Sequence, residues 1–90
     1  MSQDQWKHNY IATATTTTAK TGTGQLGSII VTGGTAGTII VYDNTAASGT
    51  ILASFDSTNA LAEYDFKGVP FYTGLTIITG SATKITVVYR

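Results

Sequence analysis

The sequence contains no cysteine and only one histidine. Without cysteine the chain has neither disulfides nor thiolate ligands for a metal, so packing and hydrogen bonds must hold the fold. Cys–His catalysis is excluded, and a Ser–His–Asp arrangement would have to use His8. That histidine lies near the N-terminus, where it is poorly placed to be held against a nucleophile. We therefore expect a protein that is not an enzyme and that uses no cofactor.

Charge is also scarce, with five basic and five acidic side chains in 90 residues. A surface that binds nucleic acid needs clustered basic side chains to neutralise phosphates. The basic residues are scattered instead, at Lys7, Lys20, Lys67, Lys84 and Arg90. We expect no direct binding to nucleic acid.

The sequence has no apolar run long enough to span a membrane. The first ten residues, "MSQDQWKHNY", lack the apolar segment of a signal peptide. The chain is therefore expected to be made in the cytoplasm and to have no membrane partner.

Threonine, isoleucine, valine and glycine are abundant, and no segment shows a helical period. Branched side chains favour strands, and glycine suits the tight turns between them. The pattern predicts eight short strands, near residues 9–19, 25–32, 37–43, 50–56, 61–66, 69–72, 74–79 and 83–90. Such strands without intervening helices predict one all-β domain, either an antiparallel sandwich or a small barrel. An antiparallel β-sandwich of jelly-roll type is the preferred version, although periodicity does not give the order of the strands.

Three local features refine this prediction. Gly33–Gly34 lies between two apolar runs and predicts a hairpin tip, and Pro70 predicts a sheet edge or a loop. The polar segment 43–49 is too long for a two-residue hairpin, so it is expected to cross between the sheets. The sandwich is assigned to residues 13–90 and an extended N-terminal arm to residues 1–12.

Four carboxylates are candidates for acid–base or metal sites. Glu63 and Asp65 lie two residues apart and share one face of a strand, while Asp43 and Asp56 each close a strand. Charged outer faces and turn-capping aspartates explain these positions. Asp43 and Asn44 offer two oxygen ligands, whereas calcium needs six or more. We expect no catalytic residues and no metal.

The polar N-terminus carries an unusual concentration of large side chains, Trp6, His8, Tyr10 and Ile11. Termini fray unless something holds them. Trp6 either caps the core of this domain or, if it is exposed, anchors a partner. The four residues are the predicted partner interface.

The phrases "LGSIIVTGGTAGTIIVYDNTAASGTILASFD" and "YTGLTIITGSATKITVVYR" resemble small structural proteins of tailed bacteriophages. The resemblance covers residues 25 to 90. It implies a non-enzymatic virion protein, a capsid decoration (cement) or head-surface protein made in the cytoplasm of the bacterial host. The implied partners are the major capsid protein and further copies of the chain, with a trimer favoured. On this view residues 1–12 contact the shell, and their deletion leaves the sandwich folded.

A second function class stays open. The nine aromatic side chains include Trp6 and five tyrosines, which are suited to a carbohydrate platform if several share one face. The alternative is therefore a glycan-binding β-sandwich module of a phage fibre or a surface adhesin.

Overall fold

The computed structural model describes residues 5–58 and 60–90. Within these ranges the chain forms eight strands joined by short turns. In chain order they are β1 (Lys7–Ile11), β2 (Thr15–Thr21), β3 (Gly24–Gly34), β4 (Gly37–Asp43), β5 (Thr50–Ser57), β6 (Ala62–Phe71), β7 (Gly74–Thr79) and β8 (Thr83–Tyr89).

The strands form two four-stranded sheets, ordered β1-β8-β3-β6 and β2-β7-β4-β5. All the paired strands run antiparallel. Four strand pairs are nested around the β4–β5 turn. From the innermost outward they are β4–β5, β3–β6, β2–β7 and β1–β8. This is the jelly-roll arrangement. The predicted all-β jelly-roll sandwich is confirmed.

The core lies between the two sheets and follows from alternation along the strands. In β8 the buried apolar residues are Ile85, Val87 and Tyr89, while the side chains between them face outward. β4 and β7 contribute Val41 and Ile77, which are directly opposite each other in the second sheet. Each fully buried side chain of this size stabilises the fold by about 1.5 to 3 kcal/mol. The remaining buried apolar side chains are Ile11, Leu26, Ile29, Val31, Ile39, Phe71 and Leu75.

Buried threonines tie the connecting segments to the sheets. The hydroxyl of Thr76 donates to the carbonyl of Asn44 at 2.7 Å, and that of Thr79 donates to the carbonyl of Thr13 at 2.6 Å. The hydroxyl of Thr83 donates to the carbonyl of Thr35. Threonine thus serves both as a strand former and as a donor to carbonyls that the turns leave without ladder partners.

Several predicted boundaries were wrong because strand pairing is not a local property. The predicted strand 9–19 is two strands, β1 and β2, which belong to different sheets. The predicted strands 61–66 and 69–72 are one strand, β6, interrupted by a bulge at Lys67 and Gly68. Pro70 lies on this outermost strand, so its predicted place at a sheet edge is confirmed.

Both predicted turn assignments were also wrong. Gly33–Gly34 is not a hairpin tip, because Gly34 pairs with Thr83 of β8 and the chain then crosses to β4 in the other sheet. The segment after Asp43 does not cross between sheets, because β4 and β5 pair directly. The turn reverses at Gly49, whose φ of 90° is in the left-handed region that glycine tolerates.

Asp43, at the start of this turn, is hydrogen-bonded to a second turn. Its carboxylate accepts hydrogen bonds from the backbone N–H groups of Tyr72, Thr73 and Gly74, with shortest distances of 2.9, 2.8 and 3.4 Å. The N–H of Thr73 is the chief cause that holds the pKa of Asp43 below its usual value; those of Tyr72 and Gly74 act the same way, and partial burial opposes them. Asp43 therefore locks the β6–β7 turn onto the end of β4.

The predicted N-terminal arm is not confirmed. Residues 7–11 form the edge strand β1 and pair with β8 over their whole length. Ile11 lies in the core with 5% of its surface exposed. The first four residues lie outside the described ranges. Deleting residues 1–12 would remove a core residue, Ile11, as well as the edge strand β1, because alternation along β1 turns Ile11 inward. The deletion is therefore not a clean test of partner binding.

Candidate functional site

The outer face of the β1-β8-β3-β6 sheet collects the N-terminal side chains. Tyr10 lies opposite Thr86 of β8, and His8 lies opposite Val88. Residues directly opposite each other share a face of the sheet. Since Val87 is buried on the inner face, His8 and Tyr10 lie on the outer one. Tyr10 is 55% exposed.

Trp6 precedes β1, and its indole lies across this outer face. It packs over Gly27 of β3 so closely that a Cβ on that glycine would lie 2.8 Å from Cζ3 of the ring. The guanidinium carbon of Arg90 lies 4.3 Å from the ring centroid, a cation–π contact. Arg90 in turn donates from Nε to Oε1 of Gln25 at 2.7 Å. Trp6 therefore packs on its own sheet rather than on the core, and 46% of it remains exposed.

The four residues of the predicted interface separate in this fold. Trp6, His8 and Tyr10 share the outer face of one sheet. Ile11 belongs to the core, where a partner cannot reach it. Sequence reasoning missed the residues that hold Trp6, namely Gly27, Gln25 and Arg90. A glycine inside an otherwise apolar strand was the available signal, because such glycines often mark a close approach by another group.

A cleft of about 340 Å³ opens beside Trp6 on the same face. Residues of β3, β6 and β8 line it together with Trp6 and Arg90. The lining residues are Trp6, Gln25, Gly27, Ser28, Glu63, Asp65, Lys67, Gly68, Val88 and Arg90.

The cleft exists because β3 and β6 lose their regular pairing at this point. The register shifts between Leu26 and Ser28, opposite the bulge at Lys67 and Gly68. Lys67 and Gly68 have φ of 57° and 73°, two successive left-handed residues. The carboxylate of Asp65 accepts a hydrogen bond from the backbone N–H of Lys67 at 2.8 Å, which holds the bulge. A bulge re-aims side chains, and here it widens the face into a cleft.

The four candidate carboxylates lie in three different surroundings. Asp43 is bonded to the β6–β7 turn, and Asp56 accepts from the hydroxyl of Thr38 at 2.9 Å. Glu63 and Asp65 line the cleft, as their shared strand face predicts. In residues 5–58 and 60–90, no group of three or more histidines, aspartates and glutamates is placed to hold a metal ion.

The four edge strands differ in regularity. β2, β5 and β6 each pair with their inner neighbour through a register shift, and β6 also contains Pro70. β1 pairs with β8 from Lys7 to Ile11 without interruption. Bulges and proline protect an edge from further pairing, and β1 is the one edge in the described part of the chain that has neither, although it is also the shortest strand and begins with Lys7.

The described residues include no helix with the length and apolar character of a membrane span. Comparison with known proteins found no matching family model, no matching curated protein and no matching solved structure.

Proposed function

We propose that the chain is a non-enzymatic virion structural protein, a capsid decoration protein that binds the major capsid protein as a homo-oligomer on the capsid surface. One structural finding and one prediction from the sequence support the proposal. The chain has a jelly-roll fold, which is common among viral capsid and lectin domains. Its sequence also resembles small structural proteins of tailed phages over residues 25–90.

The regular edge strand β1 is the observation that carries the proposal. Such an edge presents unpaired backbone groups on which a strand of another chain can pair. Tyr10 stands on this strand with 55% of its surface exposed, and His8 is exposed beside it. An exposed tyrosine supplies apolar area and a hydroxyl, the combination enriched in protein interfaces. β1 is therefore the contact proposed for the capsid protein.

A decoration protein has to add buried area across boundaries between capsomers. One short edge strand and one tyrosine bury less than the roughly 1,600 Å² of a standard stable interface. Several copies in a closed ring would engage several capsid subunits at once, and linkage converts weak single contacts into strong overall binding. The proposed homo-oligomer, with a trimer favoured, follows from this need.

The test begins with virions of the phage or prophage that encodes the chain. Mass spectrometry should detect the chain in purified virions, and electron microscopy should place it outside the capsid shell. Absence from the virion, or a position inside the tail, would refute capsid decoration.

Co-sedimentation with shells that lack the protein then tests the β1 contact. Tyr10→Ser should weaken binding about tenfold, the loss expected when an interface tyrosine is worth about 1.4 kcal/mol. Tyr72→Ser is the matched control, because Tyr72 is 71% exposed but lies in the β6–β7 turn. Equal binding by the two variants would exclude β1 as the contact. Analytical ultracentrifugation measures the oligomer directly, and a monomer at all concentrations would contradict the trimer.

A further inference from the structure

We infer that the cleft between Trp6 and the bulged part of β6 binds a neutral saccharide unit. This inference goes beyond capsid binding and does not depend on it. The cleft lies on the same sheet as β1, but Tyr10 is not among its lining residues.

The size of the cleft suits a small ligand. Its volume of about 340 Å³ lies at the lower end of the range of about 300 to 1,000 Å³ that ligand pockets occupy. The indole of Trp6 already fills the space beside Gly27, so a ligand in the cleft meets the indole there rather than the backbone of β3. A mono- or disaccharide is of this size and has both an apolar face and many hydroxyl groups.

Trp6 provides the apolar contact. Its ring contacts Gly27 and the guanidinium of Arg90, and 46% of its surface is exposed. The C–H groups on one face of a sugar ring can pack on an indole. Because the indole is already held in place, binding orders few further side chains and the entropic cost is small.

Ser28 offers a hydroxyl to a polar ligand. The residue is only 8% exposed, and no side-chain hydrogen bond is formed by its hydroxyl within the described part of the chain. No sealed side-chain oxygen or nitrogen lacks a partner among the described residues, so this hydroxyl is open to the cleft that the residue lines. Water can reach it in the free protein, and a ligand hydroxyl can replace that water as its hydrogen-bond partner.

The walls complete a hydrogen-bonding set for sugar hydroxyls. Glu63 and Asp65 present carboxylate oxygens that accept hydrogen bonds, and the amide of Gln25 can both accept and donate. Sugar hydroxyls donate and accept, and bonds to carboxylates are among the stronger ones.

The charge of the cleft selects a neutral ligand. Two carboxylates, Glu63 and Asp65, are balanced by two cations, Lys67 and Arg90. A phosphate or a sulfated sugar would meet carboxylates that repel it, and a cationic ligand would meet the lysine and arginine. Neither sign of charge is favoured, so the specificity must come from hydroxyl geometry and stacking.

The sole tryptophan makes the inference directly measurable, because all indole fluorescence comes from Trp6. The full chain is titrated with glucose, galactose, mannose and N-acetylglucosamine, and is tested on an array of neutral oligosaccharides. We expect a saturable change in fluorescence and protection from acrylamide quenching with at least one sugar. Titration extends to about 100 mM, roughly a hundred times a dissociation constant of about 1 mM.

Two variants locate the binding site. Glu63→Gln keeps the shape of the wall but loses the charge, and should weaken binding about tenfold. Ser28→Ala should weaken it by a smaller factor. Tyr72→Ser, outside the cleft, should bind as the unmodified chain does. Circular dichroism and thermal unfolding confirm that each variant is folded.

Three results would overturn the inference. The first is the absence of any response to neutral sugars. The second is unchanged binding by both cleft variants. The third is binding that is limited to charged sugars and is abolished by salt. The two proposals also fail separately. Tyr10→Ser should bind sugar normally, and Glu63→Gln should bind capsid shells normally, so a defect in one assay is not a defect in the other.

Discussion

Replacing Asp43 by alanine should destabilise the protein while leaving its core intact. The carboxylate of Asp43 accepts hydrogen bonds from the backbone N–H groups of Tyr72, Thr73 and Gly74. Alanine removes the acceptor, so three N–H groups at the tip of the β6–β7 turn must donate to water instead. The turn then loses its attachment to β4.

The size of the effect follows from comparable sites. Hydrogen bonds to charged groups contribute about 1.5 to 3 kcal/mol where water is excluded, but these groups lie near solvent. Truncating an aspartate that caps a helix N-terminus to alanine lowers the free energy of unfolding by about 0.5 to 2 kcal/mol. We expect about 1 to 2 kcal/mol for Asp43→Ala, or about 4 to 16 °C in melting temperature. Asp56→Ala is the control, expected to stay within about 0.5 kcal/mol.

The pH dependence provides an independent check. The pKa of Asp43 lies below its ordinary value of 3.8 in the folded protein, chiefly because of the N–H of Thr73. The unfolded chain therefore binds a proton first as the pH falls. At pH values above the ordinary pKa of 3.8, the unmodified protein should be more stable than Asp43→Ala by the full amount. This difference in stability is lost as the pH falls through the lowered pKa of Asp43 in the folded protein. Urea unfolding at several pH values measures it, and an equal advantage at neutral pH and at about pH 2 would refute the reasoning.

Three further predictions concern packing. Phe71→Ala should cost about 3 to 5 kcal/mol in urea unfolding because it empties a fully buried site; a smaller loss would mean that the core closes around the gap. Thr76→Val should cost about 1 to 2 kcal/mol, since the carbonyl of Asn44 loses a donor; an unchanged midpoint would show that water replaces it. Gly27→Ala should displace the indole of Trp6, so its fluorescence should shift to the red and acrylamide should quench it more; an unchanged spectrum would contradict the close contact.

The sequence alone was sufficient for the fold class. Threonine and isoleucine alternate in short runs without a helical period, and this local pattern identifies strands and their inner faces. β8 illustrates this, since Ile85, Val87 and Tyr89 lie two residues apart in the sequence and are buried together. A chain of eight strands without helices has few compact arrangements, so the pattern predicts an all-β sandwich or barrel, while the jelly-roll order of the strands depends on pairing.

A local sequence pattern does not determine which strands pair with each other. Alternation says which side chains share a face, but not which strand lies beside it. The supposed arm became edge strand β1 because β8 pairs with it from the far end of the chain. Gly33–Gly34 likewise resembled a hairpin tip, and only the pairing of β3 with β8 showed otherwise.

The candidate site shows the same division. Sequence drew attention to Trp6 because a large aromatic side chain is unusual in a polar terminus. Only the tertiary structure brought Gly27 of β3, Glu63 of β6 and Arg90 beyond β8 to the same cleft as this indole. Sequence thus determined the faces of the strands, because alternation depends on near neighbours. Tertiary structure decided the site, because its residues meet only after strands far apart in the chain have paired.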